Sequence, residues 1–131
     1  MSQIEKPIPV IEFAVDFVFE CAHFVPTFPD GHSSRRMHGH TYYGKVIVEN
    51  LIDLKTGFVM DVAKFQEILK PTVDKLDHHL LNEIPGLENP SSEWIAVWIW
   101  EELSGQLKGL KEIEIHRPSV GMSVRYRGQK V

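Results

Sequence analysis

His38 and His40 are separated by a single glycine, and His23 lies fifteen residues before the first of them. In a β-strand, residues i and i+2 project from the same face. His38 and His40 on one strand can therefore reach one metal ion, and His23 can complete the set from a neighbouring strand. Three imidazoles with a fourth position open is the usual way to hold catalytic zinc. An isolated His-x-His pair is common, and a lone histidine is more often structural than ligating. The third histidine, at the matching strand end, tips the balance toward metal.

A second cluster follows in Leu76-Asp77-His78-His79. A carboxylate beside an imidazole can orient a proton-transfer histidine and stabilise its charged form. Neighbouring residues rarely bond each other in regular structure, so this role requires a turn at Asp77-His78. The plainer account is that these histidines finish a helix, where the dipole favours them.

The surrounding patterns show what could position these groups. From Ile11 to His23 the odd positions are Ile11, Phe13, Val15, Phe17, Phe19, Cys21 and His23, while Glu12, Asp16 and Glu20 fall on the other face. His38, His40, Tyr42, Gly44, Val46 and Val48 repeat the alternation. This period of two predicts two strands, 11–23 and 38–48, with each apolar face ending in histidine at the connecting loop. That loop, 24–37, carries Pro26, Pro29, Gly31, Ser33 and Ser34, all turn-formers. Asp53–Gly57 reads as a turn, and Met1–Pro9 as a loose arm.

Asp61 is placed to cap a helix over Val62–Leu76. Val62, Phe65, Ile68, Leu69, Val73 and Leu76 form its inward stripe, and Pro71 should kink or interrupt it. Asn89-Pro90 reads as an N-cap followed by proline at the first helical position. That second helix should run to about Leu107, with Trp94, Ile95, Trp98, Ile99 and Leu103 inward. Strands over Leu110–Arg117 and Met122–Arg127 complete the order β-β-α-α-β-β. This is an α+β layout with an antiparallel sheet and two helices on one face. Such a sheet has two edges, which side-by-side assembly of copies would cover.

At 131 residues the chain fits one domain, 1–131. A formal charge of −4 argues against a general nucleic-acid binder, which would normally show a basic stripe. No apolar run approaches a membrane span, so no membrane partner is expected. The single cysteine, Cys21, cannot make an internal disulfide, and the first residues lack a signal-peptide core. A cytoplasmic location is expected.

The chain resembles the 6-pyruvoyl-tetrahydropterin synthase / 6-carboxytetrahydropterin synthase family. The matching motifs are Phe19-Glu20-Cys21-Ala22-His23, Gly31-His32, His38-Gly39-His40, Thr56-Gly57-Phe58-Val59-Met60-Asp61, Leu76-Asp77-His78-His79-Leu80-Leu81-Asn82 and Pro85-Gly86-Leu87-Glu88-Asn89-Pro90-Ser91-Ser92-Glu93. They cover nearly the whole chain in the family's order, and the bacterial branch of queuosine biosynthesis is the nearest look-alike. The resemblance implies the tunnelling fold, in which subunits assemble into a β-barrel homo-oligomer, a hexamer or tetramer, with active sites between subunits. It also implies zinc on His23, His38 and His40, proton transfer by Asp77 and His78, and 7,8-dihydroneopterin triphosphate as substrate.

Two positions depart from the family pattern. The usual general-base cysteine is replaced by Ser34, and a hydroxyl is a much poorer base than a thiol. Cys21, His32 and a metal-activated water are the other candidates. The usual ring-binding glutamate aligns with His116, while Glu114 lies two residues earlier on the same strand face. A carboxylate offers two acceptors to a ring edge rich in N–H donors; sequence leaves the choice between His116 and Glu114 open. Arg35, Arg36, Arg117 and Arg125 could meet the triphosphate. The expected activity is that of a zinc-dependent lyase of the 6-carboxytetrahydropterin synthase type. The rivals are a paralogue acting on another pterin, as a 6-pyruvoyl-tetrahydropterin synthase or dihydroneopterin aldolase would, and a zinc-binding oligomer without catalysis.

Overall fold

The computed structural model describes residues 7–131. Most of the expected loose arm, residues 1–6, lies outside the described residues, and residues 7–9 carry no regular structure. Two 14-residue strands come first, β1 (Val10–His23) and β2 (His38–Leu51). They are followed by α1 (Val62–Asp74), α2 (Ser92–Leu103), β3 (Leu110–Arg117) and β4 (Met122–Tyr126). The four strands form one antiparallel sheet in the order β1-β2-β3-β4. The expected α+β arrangement of strands and helices is therefore observed.

The alternation fixes which sheet face is covered. Along β1, Val15, Phe17, Phe19, Cys21 and His23 are buried while the residues between them are more exposed. On β2, Tyr42, Gly44, Val46 and Val48 are buried in the same way. Phe17 pairs with Gly44, and its ring occupies the space that a side chain at Gly44 would fill. Phe19 stacks on Tyr42 with centroids 5.3 Å apart. An aromatic ladder thus runs up the hairpin toward its histidine end.

Both helices lie on this face. Asp61 accepts the Ala63 N–H at 2.9 Å and caps α1, as its residue type predicts. Phe65 and Leu69 pack inward, with Phe65 against Phe13 at 5.9 Å. Removing the fully buried Phe65 ring should cost about 3–5 kcal/mol. Pro71 does not interrupt α1, which continues to Asp74. The expected stripe was too wide at its start: Val62 is exposed. Leu76 is buried but lies past the helix end.

The second helix begins later than Asn89-Pro90 suggests. Ser91 is the N-cap, accepting the Trp94 N–H at 3.2 Å. Pro90 instead lies in the preceding loop and turns its carbonyl to His23. The helix also ends at Leu103 rather than Leu107, because Gly105 adopts a left-handed φ of 86° just beyond it. Ile95, Ala96, Ile99 and Leu103 face β3 and β4. Trp94 is exposed, not inward. With apolar residues on every side of this helix, periodicity alone could not choose its buried face. β4 stops at Tyr126, one residue short of the expected end.

Candidate metal centre and proton-transfer pair

The β1–β2 register places His23 opposite His38 and Cys21 opposite His40. By alternation the three imidazoles share the covered face at the loop end of the hairpin. One ring nitrogen from each lies within 4.8 Å of the others. The ring centroids are 4.6–4.9 Å apart, edge to face. This is the convergence that the spacing predicts.

Hydrogen bonding sets the tautomers. His23 Nδ1 lies 2.9 Å from the Pro90 carbonyl, and His38 Nδ1 lies 2.6 Å from the Arg36 carbonyl. A carbonyl only accepts, so each Nδ1 carries the proton and each Nε2 presents a lone pair. Those two Nε2 atoms face each other at 3.0 Å. Two lone pairs in that relation repel unless a cation lies between them. Tetrahedral zinc, with Zn–N bonds of about 2.0–2.1 Å, separates its nitrogens by about 3.3 Å. The donor set therefore fits a zinc ion, and the two carbonyls are placed as outer partners that would orient the histidines toward it.

The electrostatics agree. Burial holds the imidazole of His40 down at about 4, with the nearby charge of Arg117 adding to the effect. Burial likewise lowers His23, against the opposing pull of the Pro90 carbonyl. Both rings stay neutral near pH 7, as metal ligands must.

Asp77 and His78 lie along the outer edge of β1. The Glu20 N–H donates to Asp77 Oδ1 at 2.9 Å, the His78 N–H to the Glu20 carbonyl at 2.6 Å, and the Ala22 N–H to the His79 carbonyl at 3.0 Å. Asn82 anchors the same segment, donating to the Phe24 carbonyl at 2.8 Å and accepting the Phe24 N–H at 3.0 Å. His78 has φ 58°, the one positive φ on a described non-glycine residue. That left-handed turn, which costs an ordinary residue roughly 1–2 kcal/mol, lets adjacent side chains meet. His78 Nδ1 then lies 2.8 Å from Asp77 Oδ2. The bond to Asp77 raises His78, and the bond from Glu20, followed by that to His78, lowers Asp77. The His78 side chain is 75% exposed. Its ring is therefore open to solvent, although its backbone N–H and its Asp77 partner are both tied to Glu20 of β1.

Ser34 lines a cavity of about 210 Å³ with His23, His38, Tyr42 and Arg117. The other candidate bases are poorly placed. Burial pushes the Cys21 thiol up to about 12, so it holds its proton. His32 Nδ1 accepts the Ser34 N–H at 3.0 Å, which leaves the proton on Nε2, and its ring stacks on Phe28. Arg35 ties the loop through the Pro26 and Phe28 carbonyls. Arg36 orients His38 by its carbonyl, and its side chain is exposed.

His116 and Glu114 occupy the opposite sheet face from the imidazoles. β2 pairs Tyr43 with His116 and Lys45 with Glu114. Both line an open depression of about 440 Å³ with Asp16, Tyr43 and Lys45. Glu114 is bound by Arg125 at 2.9 Å. His116 Nδ1 donates to the Met122 carbonyl at 3.1 Å and lies 2.9 Å from Ser123 Oγ, leaving Nε2 free. Within one chain, neither reaches the metal centre.

The 6-pyruvoyl tetrahydropterin synthase family model matches residues 12–129. The chain belongs to this family. It is 39% identical over 106 residues to 6-carboxy-5,6,7,8-tetrahydropterin synthase of Synechocystis sp., spanning 76% of this chain and 81% of that protein. It is 38% identical over 84 residues to dihydroneopterin monophosphate aldolase of Pyrococcus furiosus, spanning 64% and 68%. The fold matches Caenorhabditis elegans 6-pyruvoyl tetrahydropterin synthase with a TM-score of 0.83, over 93% of this chain and 98% of that one, at 22% identity. The tunnelling fold and a pterin-synthase type of function follow from family membership. No helix among the described residues is long and apolar enough to cross a membrane.

The sequence offers Arg117 only as one of four arginines that could meet a triphosphate, and gives Tyr42 no role beyond the strand's apolar face. Their place beside the imidazoles follows from register, since Tyr42 is two residues beyond His40 and the β2–β3 pairing carries Arg117 to its side. Only the pairing of distant strands supplies that information.

Proposed function

We propose that this chain is a zinc-dependent lyase that converts 7,8-dihydroneopterin triphosphate to a 6-substituted tetrahydropterin, most like a 6-carboxytetrahydropterin synthase of queuosine and deazapurine biosynthesis. The observation that carries this is the pair of Nε2 lone pairs of His23 and His38 at 3.0 Å, each set by a carbonyl on Nδ1, with His40 beside them. A zinc ion bound there would act as a Lewis acid toward the substrate's side-chain hydroxyls and make their protons easier to remove.

The chain's own residues supply the rest. Asp77 keeps the Nδ1 proton on His78, so Nε2 takes a proton from the side chain and returns one to it. Proton movement along the side chain permits triphosphate elimination or carbon–carbon cleavage. Ser34 stands where the family's cysteine would act. With Cys21 held protonated and His32 in the wrong tautomer, the cavity offers no thiol or histidine base besides the three imidazoles, and its carboxylate, Glu93, is exposed at the rim. His78 is therefore the principal proton carrier.

The site is completed by a second copy. A cavity of about 210 Å³ is below the usual range for a pocket that engulfs a whole small ligand, roughly 300–1,000 Å³. His78 points outward, and His116 and Glu114 lie on the far sheet face. A closed homo-oligomer brings these groups to the metal centre of a neighbour, with His116 or Glu114 meeting the ring. The exposed Val18 and Tyr43 on the open face, and Trp94 and Phe58 elsewhere, accord with assembly.

A second reading is cleavage of a dihydroneopterin phosphate by an aldolase reaction, favoured by the similarity to the Pyrococcus furiosus enzyme. One assay separates the two: products from the triphosphate and the monophosphate, for wild type and Ser34→Cys. The proposal expects wild type to release triphosphate and form a tetrahydropterin, with faster turnover or altered product balance in Ser34→Cys at unchanged zinc content. Turnover of the monophosphate alone would replace it with the aldolase reading. Inertness of both proteins toward both substrates would overturn it.

A further inference from the structure

The metal cavity contains a guanidinium to which no carboxylate among the described residues is paired. By the register of β2 and β3, Arg117 falls beside Tyr42 on the face of the imidazoles, and it lines their cavity. Arg35, Arg125 and Arg127 each bind a carboxylate. Arg117 pairs with none among the described residues, and its Nε is buried without a partner. The Tyr42 side chain is fully buried beside it, and its hydroxyl is likewise unpartnered, with the Ser92 hydroxyl near but not in hydrogen-bond geometry. Buried donors are normally satisfied, and those that are not call for a ligand or an ordered water.

The donor types indicate what would satisfy them. A guanidinium presents a planar fork that matches carboxylate and phosphate oxygens, and a phenol adds one further O–H donor. Glu93 at the cavity rim is exposed and supplies one negative charge. It is outweighed by Arg117 together with the charge of a divalent metal on the imidazoles. The cavity is small, so what enters it is the reacting end of a ligand rather than a whole pterin triphosphate.

We propose that Arg117 and Tyr42 form an oxyanion anchor inside the metal cavity, which binds a carboxylate or phosphate borne by the ligand close to the atoms the metal would hold. This rests on the pterin reading above for the ligand's ring, and not for its acidic group. Arg117 would then select ligands by the acid on their side chain, while the ring is held elsewhere.

Calorimetric titration of the zinc-loaded full chain tests this with four probes: neutral dihydroneopterin, dihydroneopterin monophosphate, pterin-6-carboxylate and inorganic phosphate. Wild type should bind at least one acidic pterin about tenfold to a hundredfold tighter than the neutral one, the range of a charge-assisted hydrogen bond. Whether phosphate or carboxylate gains more identifies the source of the oxyanion. Arg117→Gln should abolish the preference while leaving zinc content and neutral-pterin affinity in place, Arg117→Lys should restore part of it, and Tyr42→Phe should reduce it. A preference that survives Arg117→Gln overturns the anchor, as does an equal loss for all probes at normal zinc content and melting temperature. If Arg117→Gln does not fold, Arg117→Lys and Tyr42→Phe carry the test, and an unchanged preference in both overturns it. Arg117-dependent binding of inorganic phosphate with no pterin binding upholds the anchor and removes the pterin reading. Turnover of the pterin triphosphate with no dependence on Arg117 does the reverse.

Discussion

His40 and His78 have the same side chain and are shifted in opposite directions. His40 lies at the covered end of a hairpin, where burial and Arg117 hold its imidazole down at about 4. His78 lies on a left-handed turn at the sheet edge, where the Asp77 carboxylate raises it. The first environment keeps a lone pair for a metal; the second keeps a proton within easy exchange. Position in the sheet, rather than residue type, sets the two imidazoles apart and suits them to the different roles proposed for them.

The contrast breaks most visibly in catalysis. His78→Ala should lower turnover of dihydroneopterin triphosphate by about a hundredfold or more, the usual loss on removing a general acid or base. Zinc content should not change, because His78 is not a ligand. Equal rates for wild type and variant, measured by triphosphate release, would remove the role assigned to it.

A smaller effect sharpens the same comparison. In an NMR titration of the zinc-free protein, His78 should titrate above its ordinary 6.5 and His40 near 4. Asp77→Asn should bring His78 back toward 6.5 and leave His40 alone. The stability consequences have opposite signs. The raised His78 contributes fully below 6.5, and its contribution fades as pH rises through its folded pKa. Asp77, lowered from 3.8, contributes above that value and fades as pH falls. His40 is depressed, so the zinc-free protein loses stability as pH falls from 6.5 toward 4, where the unfolded chain takes up the proton first. Melting temperatures that rise over that interval would contradict the burial of His40.

Much of this was legible in the residues. Alternation from Ile11 to His23 and from His38 to Val48 gives the hairpin, its covered face and the convergence of three imidazoles, because a period of two leaves only one face for all of them. Asp61 announces the start of α1. The second helix was harder, since Trp94, Trp98 and Trp100 surround it with apolar surface and hide its buried stripe. Asn89-Pro90 looked like its start, but Pro90 turns its carbonyl to His23 instead, a contact across 67 positions that no local pattern encodes. The turn at His78 was required by the chemistry rather than readable from propensity, for few non-glycine residues adopt a left-handed backbone, even though histidine does so more often than most. His116 and Glu114 share one face, as the strand pattern predicts, and only β-sheet register shows that this face is not the one with the imidazoles.

The central claim is that His23, His38 and His40 hold a catalytic metal, and direct metal analysis of the purified protein tests it. Inductively coupled plasma measurement of wild type and the three single alanine variants, after equilibration with limiting zinc at pH 7, should find about one zinc per chain in wild type. Each of His23→Ala, His38→Ala and His40→Ala should lose most of it while keeping the wild-type circular dichroism spectrum. Full zinc retention in all three variants, or a wild type that binds none, would contradict the account.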